Sequence, residues 1–262
     1  MTTQHLLQRL FTLEGKTVIV TGASAGIGRE MACLLAEAGA TVAVAARNES
    51  AANDVVARIE AGGGRAIALK LDVSDEASVI KAMAQAAERL GRIDVLVNNA
   101  GVFPAGAILD TSGADWDAIQ QTNLRGTFLC LREAGKAMLR QGGGGRIINI
   151  SSNASIRSSV PDRAAYNASK AAVNRLTADA ALELAPHGIL VNAVLPGPIA
   201  TEKLDAFDAA GSPLRDAVAK RVPLGRWGTP EEITAAVIFL AGRAGDFITG
   251  QTIVVDGGAM LA

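Results

Sequence analysis

Short apolar runs rich in β-branched residues recur along the chain and are separated by longer amphipathic segments. Within the runs, polar and apolar positions do not alternate, which is typical of strands covered on both faces in a parallel sheet. The runs are Thr17–Val20, Val42–Ala45, Ala66–Leu71, Val95–Val97, Arg146–Ile150, Ile189–Val194 and Thr252–Val255. The pattern therefore predicts a parallel sheet of about seven strands.

Helix-length segments fill the intervals between these strands. The last of them begins Thr229-Pro230-Glu231-Glu232, with an N-cap candidate, a proline at the first helical position and acidic residues in the first turn. The clearest predicted helices are Arg29–Ala38, Ala77–Leu90, Ala164–Leu184 and Pro230–Leu240. Strand-helix alternation of this kind predicts an α/β fold, a Rossmann-type doubly wound sheet with helices on both faces.

One segment, from about Thr201 to Gly228, interrupts this alternation and is rich in Ala, Asp, Gly and Pro. Long irregular connections inside a compact domain often serve a binding site, so we expect residues 201–228 to form a substrate lid. There is no internal repeat and no linker. Residues 1–262 are therefore predicted to form a single Rossmann-type domain.

The composition excludes several classes of function. The 262 residues carry a formal net charge of -1 with scattered Lys and Arg, so we expect neither nucleic acid nor an anionic membrane as a partner. The N-terminus lacks a signal-peptide apolar region, and we expect a cytoplasmic protein. Cys33 and Cys130 lie in apolar helical surroundings that favour reduced, buried thiols. No His, Cys and carboxylate cluster has metal-ligand spacing, so no metal is expected.

A glycine-rich turn follows the first predicted strand and leads directly into a helix. Its sequence is Thr21-Gly22-Ala23-Ser24-Ala25-Gly26-Ile27-Gly28. Glycines allow a sharp turn and let backbone N–H groups approach a pyrophosphate, while the helix N-terminus supplies partial positive charge. The turn therefore predicts a dinucleotide site, although a glycine turn alone is only moderately specific.

Further motifs follow in order along essentially the whole chain. They are Asp72-Val73, Asn98-Asn99-Ala100-Gly101, Asn123, Ser151-Ser152, Tyr166-xxx-Lys170 and Pro196-Gly197-Pro198-Ile199-Ala200-Thr201. With the Gly-xxx-Gly-x-Gly spacing of the glycine turn, they resemble the short-chain dehydrogenase/reductase family, particularly 3-oxoacyl-ACP reductases and sugar-acid dehydrogenases. The resemblance implies a nicotinamide cofactor and hydride transfer between a carbonyl and a secondary alcohol.

The resemblance also assigns roles to individual positions. It implies contacts of Asp72 and Val73 with adenine, and of Ile199 and Thr201 with the nicotinamide carboxamide. The implied cofactor-binding residues are Gly22, Ser24, Ala25, Gly26, Ile27, Gly28, Arg47, Asn48, Asp72, Val73, Asn99, Ala100, Gly101, Tyr166, Lys170, Pro196, Gly197, Ile199 and Thr201. The implied catalytic residues are Asn123, Ser152, Tyr166 and Lys170.

The end of the second strand predicts which cofactor is used. An acidic residue there would accept hydrogen bonds from the ribose hydroxyls and repel a 2′-phosphate. This chain has Ala46 in that place, followed by Arg47, whose guanidinium can pair with a phosphate. NADP is therefore expected rather than NAD. Ala25 stands where many NADP-preferring relatives carry a basic residue, so an NAD-preferring dehydrogenase is the alternative.

Tyr166 and Lys170 are four residues apart, and on a helix they share one face. A phenol has a reference pKa near 10, and a nearby ammonium lowers it by about 1–3 units, towards the range that suits a general acid. Tyr166 is the only tyrosine of the chain. The pair predicts protonation of a carbonyl oxygen by Tyr166 while hydride is delivered to carbon.

The resemblance further implies that Ser152 donates to the substrate carbonyl and that Asn123 holds a water that connects Lys170 to solvent. Ser152 lies fourteen residues before Tyr166 rather than the family's usual thirteen, which leaves Ser155 as the alternative serine. The loop between Ser152 and Tyr166, residues 153–163, is unusually polar and contains Arg157, Asp162 and Arg163. It is expected to favour polar substrates.

The substrate stays open at this stage. A 3-oxoacyl thioester, a sugar or sugar acid, a steroid-like ketone and a small diketone all fit the implied chemistry. Two other classes of function are the alternatives: a cofactor-binding sensor without turnover, and an isomerase or dehydratase of nucleotide sugars. The run from Phe247 to Gly258 resembles a segment that packs between subunits in the family, which implies a homotetramer or a homodimer.

Overall fold

The computed structural model describes residues 3–158, 160–202 and 214–261. Seven strands form one sheet in the order β3-β2-β1-β4-β5-β6-β7, and every neighbouring pair is parallel. They are β1 (Thr17–Thr21), β2 (Thr41–Ala46), β3 (Arg65–Lys70), β4 (Val95–Asn98), β5 (Gly145–Ile150), β6 (Ile189–Pro196) and β7 (Thr252–Val255). The predicted doubly wound α/β fold is confirmed.

Helices connect the strands and cover both faces of the sheet. They are α1 (Thr3–Phe11), α2 (Gly26–Glu37), α3 (Glu49–Ala61), α4 (Glu76–Leu90), α5 (Gly113–Gln120), α6 (Gly126–Gln141), α7 (Ala164–Leu184), α8 (Leu214–Ala219) and α9 (Pro230–Ala241). The predicted bounds of α7 agree exactly, and the others named from the sequence agree within three residues. At α9, Thr229 and Glu232 form the reciprocal cap that the sequence favours.

Successive residues of each strand point to opposite faces, so the sheet separates two apolar cores. Val18 and Val20 of β1 pack with α2, α3 and α9, whereas Ile19 packs with α4 and α6. This double coverage explains why the strands are apolar throughout. Cys33 and Cys130 are buried free thiols in the two cores, as expected.

Two features differ from the sequence expectations or fall outside them. The N-terminal segment forms helix α1, which the sequence did not predict, and it lies beside α9. The predicted lid, residues 201–228, is described only in part, because residues 203–213 lie outside the described residues. Among the described helices, none has the length and apolar character needed to span a membrane.

Candidate active site

The turns that follow the strands meet along the carboxyl edge of the sheet. Binding crevices of open parallel sheets form at this edge, where the strand order reverses. Here the reversal lies between β1 and β4, which are neighbours although β2 and β3 intervene in the sequence. The glycine turn follows β1 and the Asn98–Gly101 turn follows β4, so the predicted cofactor site lies at this reversal.

The glycine turn between β1 and α2 has a conformation that requires glycine at particular positions. Gly22 has φ 65° and Gly26 has φ 57°, in the left-handed region. Gly28 is constrained differently, because a Cβ there would overlap the side-chain amide of Asn99 and the carbonyl oxygen of Gly22. The spacing noticed in the sequence therefore reflects both backbone conformation and close packing.

The turns after β1 and β4 are tied together by hydrogen bonds. The hydroxyl of Thr21 accepts from the backbone N–H groups of Asn99 and Ala100, both at 3.0 Å. The Asn99 side chain donates to the carbonyl of Thr21 at 2.9 Å. A Cβ at Gly22 would lie 2.8 Å from the Cα of Ala100, so these backbones are in direct contact. The two turns form one rigid floor of the crevice.

The first turn of α2 has backbone donors that could bind an anion. Its N-cap residue, Ala25, has no side chain that could accept from them. The carboxylate of Glu202 lies here: it accepts from the N–H of Gly26 at 3.4 Å and pairs with Arg29. The helix end therefore already accommodates anionic oxygens, and its geometry fits a pyrophosphate. Glu202 was not identified from the sequence, where it belongs to no motif.

The turns after β2 and β3 bring Arg47 close to Asp72. Arg47 is exposed and follows Ala46, the last residue of β2. The pKa of Asp72 lies below its ordinary value because Ser74 donates a hydrogen bond to the carboxylate, with a smaller contribution from the positive charge of Arg47. The side chain of Asn48 caps α3 by accepting from the N–H of Ala51 at 3.1 Å. A cationic group thus borders the region predicted to hold the adenosine.

Buried amides connect the central strands to α7, the helix that carries Tyr166 and Lys170. Asn98 of β4 donates to Asn149 of β5 at 2.9 Å, and Asn149 donates to the hydroxyl of Thr177 in α7 at 2.9 Å. Thr177 in turn donates to the carbonyl of Val173. Fully buried hydrogen bonds of this kind fix one arrangement, so α7 is held in register with the sheet.

Asn123 lies in a π-helical turn, Gln121–Arg125, between α5 and α6. Its buried side chain accepts from the N–H of Val102 at 2.8 Å and donates to the carbonyl of Val102 at 3.0 Å. A Cβ at Gly101 would lie 3.3 Å from the Asn123 side-chain oxygen and 3.5 Å from Lys170 Nζ. Asn123, Gly101 and Lys170 therefore converge on one point.

Lys170 is buried, with 5% of its surface exposed. Its ammonium donates to the carbonyl of Ile150 at 2.8 Å and lies 5.9 Å from the centroid of the Tyr166 ring. Burial lowers the pKa of Lys170 from 10.5 to about 8 because the charged form loses hydration. A buried lysine with so low a pKa, inside a cleft, is a marker of a functional site.

Ser152 lies close enough to the Tyr166 phenol to influence its pKa. Burial raises the pKa of Tyr166, while the hydrogen bond with Ser152 and the positive charge of Arg163 act in the opposite direction. Ser155, the alternative serine, donates to the carbonyl of Ser152 and accepts from Asn174 at 2.7 Å. The structure thus brings together Tyr166 and Ser152 and leaves the Ser155 hydroxyl engaged in the local fold.

The polar loop before α7 divides into two parts. Arg157 points to the C-terminal segment and donates to the carbonyl of Met260. Arg163 points towards the site, where its guanidinium carbon lies 4.2 Å from the centroid of the Phe103 ring. Phe103 in turn meets Tyr166 edge-on, with ring centroids 4.5 Å apart. The contact between Phe103 and the site was not identified from the sequence, because no motif includes this residue.

The turn after β6 forms the remaining wall of the crevice. Gly197 donates to the carbonyl of Val255 at 3.0 Å, and a Cβ there would lie 2.5 Å from the Cβ of Asp256. A cavity of about 270 Å³ opens beside this turn, between Ile199 and the end of β7. Pro196 and Ile199 are buried, whereas Thr201 is partly exposed. Among the described residues, no group of His, Cys, Asp and Glu side chains could hold a metal.

The fold and the crevice define a dinucleotide-binding α/β protein with a tyrosine, a lysine and a serine beside the binding crevice. A family model described as enoyl-(acyl carrier protein) reductase matches residues 22–260. The chain belongs to the short-chain dehydrogenase/reductase family, whose members bind a nicotinamide cofactor and interconvert carbonyls and alcohols.

Individual relatives agree along nearly their whole length. A short-chain dehydrogenase/reductase of Armillaria gallica is 44% identical over 94% of this chain and 96% of its own. An L-rhamnose 1-dehydrogenase (NAD(P)(+)) of a Sphingomonas strain is 41% identical over the same shares. The solved gluconate 5-dehydrogenase of Burkholderia cenocepacia, in complex with NADP and tartrate, has a TM-score of 0.90 at 37% identity, covering 97% of this chain and 99% of that one.

Proposed function

We propose that this protein is an NADP(H)-dependent oxidoreductase that interconverts a carbonyl and a secondary alcohol. The observation that carries the proposal is the convergence of Tyr166, Ser152 and Lys170 at the carboxyl edge of a dinucleotide-binding sheet. A protein that only senses the cofactor has no need for these three groups beside one another. A nucleotide-sugar isomerase or dehydratase is disfavoured by the glycine spacing.

In the proposed mechanism, the bound nicotinamide cofactor supplies or accepts the hydride. Ser152 donates a hydrogen bond to the carbonyl oxygen of the substrate and polarises it. Tyr166 transfers its phenolic proton to the same oxygen during reduction and takes it back during oxidation. Lys170, whose ammonium lies 5.9 Å from the centroid of the Tyr166 ring, would place a positive charge near the phenol and favour the phenolate, against burial, which raises the pKa of Tyr166. Asn123 holds the water through which the proton returns to solvent.

We also propose how the chain holds NADP(H). The glycine turn would hold the pyrophosphate at the N-terminus of α2, through Gly22, Ser24, Ala25, Gly26, Ile27 and Gly28. Asp72 and Val73 contact the adenine, and Asn99, Ala100 and Gly101 contact the adenosine ribose. Ile199 and Thr201 would hold the nicotinamide carboxamide, and Pro196 and Gly197 would complete this part of the site. Lys170 would contact the nicotinamide ribose, with Tyr166 beside it.

Arg47, with Asn48 beside it, binds the 2′-phosphate in this proposal. The support is the exposed guanidinium at the end of β2, where the chain has Ala46 instead of an acid. Arg47→Ala is expected to reduce kcat/KM for NADPH about tenfold or more and to leave NADH little changed. Arg65→Ala is the matched control, because Arg65 is the first residue of β3 and lies at the amino edge of the sheet, away from the crevice. Equal efficiency with both cofactors, unchanged in Arg47→Ala, would contradict the assignment.

Oxidation of NADPH with a panel of carbonyl compounds tests the proposed reaction. Turnover is expected with at least one ketone, and Ser152→Ala is expected to lower kcat more than Ser155→Ala. Tight NADPH binding with no turnover of any carbonyl or alcohol would favour a sensor. A larger loss of kcat in Ser155→Ala than in Ser152→Ala would show that Ser155 polarises the carbonyl.

The remaining proposals concern assembly, domain organisation and location. We propose a homotetramer, with a homodimer as the alternative, in which β7 and its flanks pack against another subunit. The supporting features are Phe247, which precedes β7 and is fully exposed, and Val254 of the edge strand β7, which is 39% exposed. Light scattering should give about four times the mass of the chain. A single domain and a cytoplasmic location complete the proposal.

A further inference from the structure

Arg163 presents hydrogen-bond donors that the described residues leave unused. Its Nε and Nη1 atoms are buried, and neither has a hydrogen-bond partner within the described part of the chain. The ion pairs among the described residues do not include it either. An Arg side chain with buried, unsatisfied N–H groups costs free energy that a ligand can recover. Arg157, in the same loop, differs because it bonds to the carbonyl of Met260.

The backbone around Arg163 holds the guanidinium in place. Asp162 has φ 59°, in the left-handed region that non-glycine residues seldom adopt. Its carbonyl accepts from the N–H of Gly106 at 3.0 Å, which ties the loop to the segment after β4. The Phe103 ring then supports the face of the guanidinium at 4.2 Å. The side chain is thus positioned from two sides.

The stack of Arg163 on Phe103 continues to Tyr166, the proposed proton donor. Arg163 lies on Phe103, and Phe103 lies against Tyr166. The positive charge of Arg163 is also close enough to lower the pKa of Tyr166, against the opposing effect of burial. A substrate whose carbonyl meets Tyr166 and that extends along this stack would reach the guanidinium of Arg163. A planar fork of N–H groups matches the two oxygens of a carboxylate better than a hydroxyl or a thioester.

We propose that Arg163 is a substrate-binding residue that pairs with a carboxylate of the substrate, so that the protein acts on hydroxy acids and oxo acids. This inference rests on the proposed function, since it takes the same crevice and Tyr166 as the reacting end. Among the candidate substrates, this role of Arg163 favours the acids. A neutral steroid-like ketone or a diketone would leave the guanidinium unpaired.

Calorimetry with the NADP-saturated protein tests this inference without requiring turnover. Each probe acid is paired with the neutral polyol in which CH₂OH replaces every carboxylate: lactate with propane-1,2-diol, tartrate with threitol, and gluconate with glucitol. The wild type is expected to bind at least one acid about tenfold or more tightly than its polyol. Arg163→Gln should abolish this preference, and Arg163→Lys should retain part of it. Arg157→Gln is the matched control and should retain all of it.

Two results would overturn the inference: no preference for any acid in the wild type, or a preference that survives in Arg163→Gln. The affinity of each variant for NADP, measured first, reports whether it has folded. The proposed function fails separately, by the absence of turnover. Turnover of neutral ketones without a carboxylate preference would refute only the role of Arg163. Arg163-dependent acid binding without turnover would refute only the oxidoreductase proposal.

Discussion

Replacement of Lys170 by methionine should change how the stability of the protein depends on pH. Lys170 is buried, and its pKa is lowered from 10.5 to about 8. One pKa unit corresponds to about 1.4 kcal/mol, so the charged ammonium costs the folded state about 3 kcal/mol at neutral pH. Methionine has a similar length and no charge, so the variant lacks this cost.

The direction of the pH dependence follows from how many protons the folded and the unfolded protein bind. Between about pH 8 and pH 10.5 the unfolded chain holds the Lys170 proton and the folded chain has released it, so the free energy of unfolding rises with pH. Relative to Lys170→Met, the wild type should therefore gain about 2 kcal/mol between pH 7 and pH 9.5. Loss of the Lys170 side chain and its packing lowers the stability of the variant equally at every pH and cancels from this comparison. Any weakening of the hydrogen bond to Ile150 on deprotonation is already part of the pKa of Lys170.

Urea denaturation of both proteins at pH 7, 8, 9 and 9.5 measures the effect. Lys220→Met, at an exposed position, is the control for replacing a lysine by methionine. A stability difference between wild type and Lys170→Met that stays constant within about 0.5 kcal/mol over this range would refute the reasoning. It would mean that Lys170 is hydrated in the folded protein.

Two further predictions concern the cofactor end of the crevice. Gly28→Ala should lower the free energy of unfolding by about 1–3 kcal/mol and weaken NADPH binding, because the added Cβ overlaps the Asn99 amide. Thermal denaturation measures the stability and NADPH titration measures the affinity. An unchanged affinity for NADPH would contradict the prediction. Glu202→Gln should tighten NADPH binding about 2–5-fold, because the carboxylate competes with a pyrophosphate for the N–H of Gly26. Fluorescence titration against Glu60→Gln, an exposed control, tests this, and weaker binding in Glu202→Gln would show that the carboxylate helps to hold the cofactor.

Much of this architecture could be predicted because the responsible physics is local or periodic. Strands buried on both faces must be apolar throughout, which made the central strands visible in the sequence. The edge strands β3 and β7 are only partly buried, and their short apolar runs identified them. The capping residues of α9 are contiguous, so its start at Pro230 was predicted correctly. Helix α1 was missed although Leu6, Leu7, Leu10 and Phe11 recur at helical spacing, because the segment precedes the first strand and lies outside the strand-helix alternation.

The candidate active site likewise contains contacts that could be predicted from the sequence and contacts that could not. Tyr166 and Lys170 are close in sequence on one helix, so their proximity could be predicted. The stack of Arg163 on Phe103 joins two loops that are distant in the chain, and no spacing rule relates them. The contact of Glu202 with the N-terminus of α2 likewise spans most of the sequence. Such contacts depend on how the loops after different strands meet, which only the assembled sheet determines.

The most direct test of the central claim is hydride transfer measured in Tyr166→Phe under single-turnover conditions. Phenylalanine keeps the ring and its contact with Phe103 but removes the proton to be transferred. The account predicts an unchanged affinity for NADPH and a rate of hydride transfer at least about 10²-fold lower than in the wild type. A Tyr166→Phe protein that transfers hydride at the wild-type rate would contradict it.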